Sequence, residues 1–194
     1  MTISNKITIS RIIMIPIMII FLFIKPFKEI NTFLNLNLSE LLFAILFVLG
    51  ALSDILDGQL ARRRNEITDF GKFLDPIADK LLTTAALLYI AAERTTHTWW
   101  WVLIFLIIAR EFIVSAIRMN AAKDDVVIAA SIYGKIKTTL TMIAVIAILF
   151  NGFGLYHIMG SSATIITDVL FYISVLATVL SGIDYAVKYK VAKK

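Results

Sequence analysis

Eight residues of this chain fall on a single fixed spacing, Asp-x2-Asp-Gly-x2-Ala-Arg-x8-Gly-x3-Asp-x3-Asp: Asp54, Asp57, Gly58, Ala61, Arg62, Gly71, Asp75 and Asp79. On a helix, residues three or four apart share a face, so Asp54 lies with Asp57 and Asp75 with Asp79. The stretch 62–70 joining the two helices is short and basic, so the two acidic faces can meet. Four carboxylates in a small volume beside a membrane cannot all stay ionised uncompensated. They must bind cations, pair with Arg or Lys, or take up protons. Hard oxygen ligands select hard cations, so Mg2+ or Mn2+ is expected, and two divalent ions would balance four carboxylates. A metal pair is also what phosphoryl chemistry on a diphosphate uses, because it offsets the diphosphate charge and stabilises the leaving oxygen. Gly58, Ala61 and Gly71 would let a flat nucleotide approach the backbone closely. Singly they read as ordinary small-residue helix contacts, but their register with four acids favours a ligand.

The elements that position these residues are membrane helices. Of 194 residues, 59% are hydrophobic and the mean hydropathy is +0.86, too apolar for a soluble domain. Apolar stretches centred near Ile17, Phe47, Leu87, Phe105, Ile146 and Leu176 predict an all-α integral membrane protein with six transmembrane helices. Residues 99–109 meet Arg110 and Glu111 before the apolar run resumes at 112–117, so polar residues lie within helices. Lipid tolerates them only where they face protein or a water-filled cavity, which implies a polar, metal-binding cavity inside the bundle. The first apolar stretch, 12–24, is followed by Lys25-Pro26-Phe27-Lys28 rather than small residues, so it reads as a retained helix and not a cleaved signal. With no cysteine there is no thiolate nucleophile and no Cys-based metal site. The net charge of +5 suits basic loops facing anionic lipid. Nucleic-acid binding is not expected, since no basic, aromatic-interleaved soluble segment exists. Nothing divides the chain, and residues 1–194 read as a single domain.

Basic residues set the orientation. With the N-terminus in the cytoplasm, one side carries Lys6, Arg11, Arg62, Arg63, Arg64, Lys72, Arg118, Lys123, Lys135, Lys137, Lys188, Lys190, Lys193 and Lys194. The other carries only Lys25, Lys28 and Arg94. Both termini and the acidic cavity are therefore expected at the cytoplasmic face of the cell membrane. On the far side, 95–101 and 151–162 read as turns, with Trp99, Trp100 and Trp101 anchored at the interface. His97 and His157 fall on that side, away from the acids. Asp168 and Asp184 lack partners at catalytic spacing and read as structural or interfacial.

The motif residues resemble the CDP-alcohol phosphatidyltransferase family, whose pattern is matched here without departure, and the helix pattern extends the resemblance over nearly the whole chain. The resemblance implies a CDP-linked substrate, Mg2+ or Mn2+ as cofactor, and a phosphodiester plus CMP as products. It makes Asp54, Asp57 and Asp75 metal ligands, and Asp79 both ligand and general base. Gly58, Ala61 and Gly71 would flank the cytidine, with Arg62 and Thr8 also on the CDP-lipid. The flanking segments, Asn5-x2-Thr8-x2-Arg11 with Pro16, Arg110-Glu111-Phe112 with Arg118, and Gly134-Lys135-x-Lys137-Thr138, are similar to the bacterial branch that uses CDP-diacylglycerol and glycerol 3-phosphate on the way to phosphatidylglycerol. Inositol phosphate, serine or phosphatidylglycerol are the alternative acceptors within the same chemistry.

The acceptor's own phosphate needs cationic partners beside a site rich in carboxylates, and Arg110, Arg118, Lys135 and Lys137 are the candidates. The competing structural readings are an Arg110–Glu111 intramembrane ion pair and two ordinary positive-inside lysines. A cation transporter is the rival from another class, but it predicts acids on both halves of an inverted repeat, whereas these crowd into one hairpin. Besides lipids, a second copy of the chain is the expected partner, through lipid-facing helices.

Overall fold

A computed structural model describes residues 3–32, 34–64, 69–94, 98–123, 131–160 and 162–192; within these, the side chains of residues 3, 4, 55–64, 69–73, 122, 123, 157, 158, 191 and 192 lie outside the description. The described residues form helices and turns, without a strand beyond one isolated bridge between Asn31 and Asn37. Six helices are long: α1 (Ile3–Phe21), α3 (Leu38–Arg64), α4 (Asp69–Glu93), α5 (Trp100–Lys123), α6 (Ile132–Leu149) and α8 (Ser162–Ala192). The short α2 (Lys25–Glu29) and α7 (Tyr156–Met159) lie between them. Each of the six predicted apolar centres falls inside one long helix.

Among the described residues, α5, α6 and α8 are long and apolar enough to cross a membrane by length and composition. The acids and their basic neighbours lie toward one end of α3 and α4, with Asp54, Asp57 and Arg62 to Arg64 in the second half of one and Lys72, Asp75, Asp79 and Lys80 in the first half of the other. The chain is thus an all-helical membrane protein with three clear candidate spans.

α1 packs on α3 and α4, α5 and α6 pack on α8, and α4 bridges the two groups through α5 and α6. The core between them is apolar, with Phe43, Phe47, Leu82, Ile90, Ile104, Val145 and Phe171 all buried. Around it the membrane-type surface stays apolar, for example at Phe105, Phe112, Ile165 and Leu176, as expected where lipid rather than water is the solvent. α3 begins with a capping box: the Asn37 side chain accepts from the Glu40 backbone N–H at 2.9 Å, and the Glu40 carboxylate accepts from the Asn37 N–H at 3.0 Å.

The far-side turns are shorter than expected. α5 already starts at Trp100, and α7 interrupts 151–162. Trp99 and Trp101 are half exposed, but Trp100 is buried. It stacks on Phe171 with centroids 4.4 Å apart and donates its indole N–H to the Tyr172 hydroxyl at 3.1 Å. The helical turn of about 100° per residue points the middle tryptophan inward, so it is a core residue and not an interfacial anchor. His97, and the side chain of His157, lie outside the described residues. Asp184 pairs with Lys188 one helical turn on, at 2.8 Å, in keeping with a structural role.

Candidate active site

Alternating helix directions bring the C-terminal part of α3 and the N-terminal part of α4 to one end of the bundle, with the start of α1, the end of α5, the start of α6 and the end of α8. Asp54 lies in α3, and Asp75 and Asp79 lie in α4. Asp57, Gly58, Ala61 and Arg62 occupy the last turns of α3, and Gly71 the first turn of α4; their side-chain placement is outside the described residues.

The first helix fixes two of the acids. Arg11, 1% exposed, donates from Nη1 to Asp54 Oδ1 at 2.7 Å and from Nε to Ser53 Oγ at 3.2 Å. Ser53 in turn donates to the Gly50 carbonyl at 2.7 Å. The Thr8 hydroxyl donates to Asp75 Oδ1 at 2.6 Å. Thr8 and Arg11 are three apart, so one face of α1 reaches both acidic helices. Among the described residues, each bond engages one oxygen of its carboxylate, and the Asp54 side chain is 44% exposed. Asp54, Asp75 and Asp79 are oxygen donors of the type a hard divalent cation takes, but among the described residues no three acids stand close enough together to hold one; the fourth acid of the motif, Asp57, has its side chain outside the description. From the sequence, Arg11 stands out as part of a flanking pattern and as one of the basic residues that set the orientation, not as a partner of the acids. Its partner Asp54 is 43 residues away, and no local spacing carries that contact.

Asp79 opens onto a cavity of about 480 Å3. Its walls bring together all four cationic candidates, Arg110 and Arg118 from α5 and Lys135 and Lys137 from α6. These cations are not equivalent. The Glu111 carboxylate accepts from Lys137 and, at 3.2 Å, from Arg110, and Arg110 also donates to Ser181 at 2.5 Å. The intramembrane Arg110–Glu111 pair is therefore present, and it is extended by a buried lysine. Arg118 instead donates to a neutral acceptor, the Tyr185 hydroxyl, and Lys135 is exposed to the cavity. Lys80, Glu111 and Tyr185 line the same space and were not singled out from sequence as site residues. Glu111 and Lys80 carried a signal as charges within apolar helices; Tyr185 carried none. A smaller extension of about 40 Å3 runs inward from Asp79 past Thr83, Lys137 and Thr141.

Aspartates on two neighbouring helices, Asp54 on α3 and Asp75 and Asp79 on α4, beside a cavity lined by cations, suit chemistry on phosphate-bearing substrates. A model of the CDP-alcohol phosphatidyltransferase family matches residues 1–180, and the chain belongs to that family. It is 37% identical over 185 residues to a Bacillus subtilis protein named CDP-diacylglycerol–glycerol-3-phosphate 3-phosphatidyltransferase, covering 93% of this chain and 91% of the relative. It is 32% identical to a Rickettsia felis protein of the same name, over 98% and 94%, and 36% identical to one from Pectobacterium atrosepticum, over 75% and 80%.

Proposed function

We propose that this chain transfers the phosphatidyl group of CDP-diacylglycerol to glycerol 3-phosphate, releasing CMP and forming phosphatidylglycerophosphate for phospholipid synthesis. The observation that supports it most is the single cavity joining Asp79 to Arg118 and Lys135. Its volume is within the range of small-molecule sites, about 300–1,000 Å3. A neutral alcohol would need no such cationic lining, whereas a phosphate of nearly two negative charges does.

In the reaction, the acceptor hydroxyl oxygen bonds to the β-phosphorus of CDP-diacylglycerol while the bond from that phosphorus to the bridging oxygen breaks, and the electron pair leaves with CMP. The hydroxyl proton goes to Asp79, which acts as general base. Arg118 and Lys135 hold the acceptor phosphate, with Lys137 and Arg110 behind them, and so place the hydroxyl in line with the phosphorus. Arg11 and Thr8 hold Asp54 and Asp75 in orientation. Asp54, Asp57, Asp75 and Asp79 would hold Mg2+ or Mn2+, in one or two ions, which when bound offsets the diphosphate charge and stabilises the leaving oxygen. Gly58, Ala61, Gly71 and Arg62 would flank the nucleotide.

The site would open to the cytoplasm, because the basic residues cluster at its end of the bundle, and all six long helices would span the bilayer. A cysteine at Lys190, five residues beyond Tyr185 on α8, should resist an impermeant thiol reagent in intact cells and react after lysis; labelling before lysis would reverse the orientation. The function itself is tested by supplying purified protein with CDP-diacylglycerol and a panel of glycerol 3-phosphate, inositol phosphate, serine and phosphatidylglycerol, with and without chelator. Release of CMP with glycerol 3-phosphate, abolished by chelation and restored by Mg2+ or Mn2+, is expected. Preference for another alcohol would reject the acceptor, and chelator-resistant turnover would reject the metal.

A further inference from the structure

Tyr185 sits where three helices meet. It is 1% exposed, and its hydroxyl accepts from Arg118 on α5 and, at 3.3 Å, from the backbone N–H of Ser131, the residue that precedes α6. Its ring lies 4.8 Å from the Arg118 guanidinium carbon and 5.6 Å from that of Arg110, distances at which a cation is drawn to an aromatic face. α6 comes so close at Gly134 that a Cβ there would stand 3.3 Å from the Tyr185 hydroxyl oxygen. One phenol thus ties α5, α6 and α8 together beside the cavity.

What distinguishes this residue is its charge. Arg110 and Lys137 share the Glu111 carboxylate, which orders them but also cancels much of their positive field. Among the described residues Arg118 is ordered by a neutral group and meets no carboxylate, so its charge stays available to an incoming anion. An arginine otherwise carries about 2 kcal/mol of side-chain rotamer entropy that binding would have to remove, and prior ordering reduces that cost. Building on the acceptor reading above, we propose that Tyr185 is a positioning residue that sets selectivity for a phosphorylated acceptor, by fixing Arg118 and the start of α6 without neutralising the arginine.

Tyr185→Phe keeps the ring and its packing and removes only the hydroxyl. Steady-state kinetics on the purified full chain should show the KM for glycerol 3-phosphate rising about tenfold, the effect of losing one hydrogen bond to a charged group, with the KM for CDP-diacylglycerol unchanged. In an Arg118→Ala background the same change should add almost nothing, because the two residues act as one unit. Three outcomes would overturn the proposal: an unchanged KM for glycerol 3-phosphate, an equal rise in both KM values, or a tenfold loss that persists without Arg118. Failure of the underlying acceptor reading looks different, since wild-type protein would then not use glycerol 3-phosphate at all.

Discussion

Both ends of the bundle carry charge, but they spend it differently. At the end remote from the aspartates, Arg94 donates to Asn151 at 2.7 Å and to the Tyr89 hydroxyl at 3.4 Å, and pairs with Glu40 at 2.9 Å. Asn151 passes the network on to the carbonyls of Leu34 and Asn35, each at 3.1 Å, so α3, α4, α6 and the 34–35 turn are clamped together. A cavity of about 500 Å3 exists there too, yet the cation on its wall is already matched by protein. At the aspartate end, Asp54 and Asp75 each receive a bond on one oxygen from α1, and Arg118 is held by an uncharged phenol. Neither charge density nor cavity volume separates a structural cluster from a candidate site in this molecule. Unspent charge does.

The comparison breaks most decisively at Asp79. Asp79→Asn leaves the fold and CDP-diacylglycerol binding in place but removes the proton acceptor, so kcat should fall by about a hundred- to ten-thousandfold. Near-normal turnover by a folded variant that still binds the lipid would remove Asp79 from the chemistry. Next in size are the cations of the cavity. Arg118→Ala or Lys135→Ala should each raise the KM for glycerol 3-phosphate by about ten- to a hundredfold and leave that for CDP-diacylglycerol nearly unchanged; equal losses for both substrates would contradict an acceptor site built from these side chains.

The remote end should answer in a different measurement. Arg94→Ala leaves Glu40 and Asn151 half-buried without their partner, which should lower stability by about 1–3 kcal/mol and shift the melting temperature with both KM values unchanged. An altered KM at unchanged stability would make that end part of the working site.

How far these assignments could be read from residue order depends on the range of the interaction concerned. The six long helices were legible because an apolar stretch lies inside each of them, and the placing of Asp75 and Asp79 one turn apart on α4 because helix periodicity fixes which residues share a face. Contacts across the bundle were not legible. Arg11 meets Asp54, Lys137 meets Glu111 and Tyr185 meets Arg118 through helix packing, and no periodicity links residues 26 to 67 positions apart. Trp100 failed for a related reason: composition marks a tryptophan triplet as interfacial, while the helix phase of its middle member, set by packing on Phe171, makes it core. The four cationic candidates line one cavity, but their inequality became visible only with the partners of each in view.

The smallest effect is expected at Lys188, and it is the most informative about why the cavity cations matter. Lys188 sits on the same helix and at the same end as Tyr185, but it is exposed, pairs with Asp184 at 2.8 Å and does not line the cavity. An exposed pair of this kind contributes little to stability, because water and salt screen it and two flexible side chains must be held. At physiological salt, screening acts over about 8 Å, so its charge adds little to a phosphate bound elsewhere. Lys188→Ala should therefore leave the melting temperature and both KM values unchanged, although it removes the same formal charge as Lys135→Ala. If instead the KM for glycerol 3-phosphate rose as far as it does for Lys135→Ala, the acceptor would be drawn by the summed positive charge of this face and not by groups fixed around Asp79.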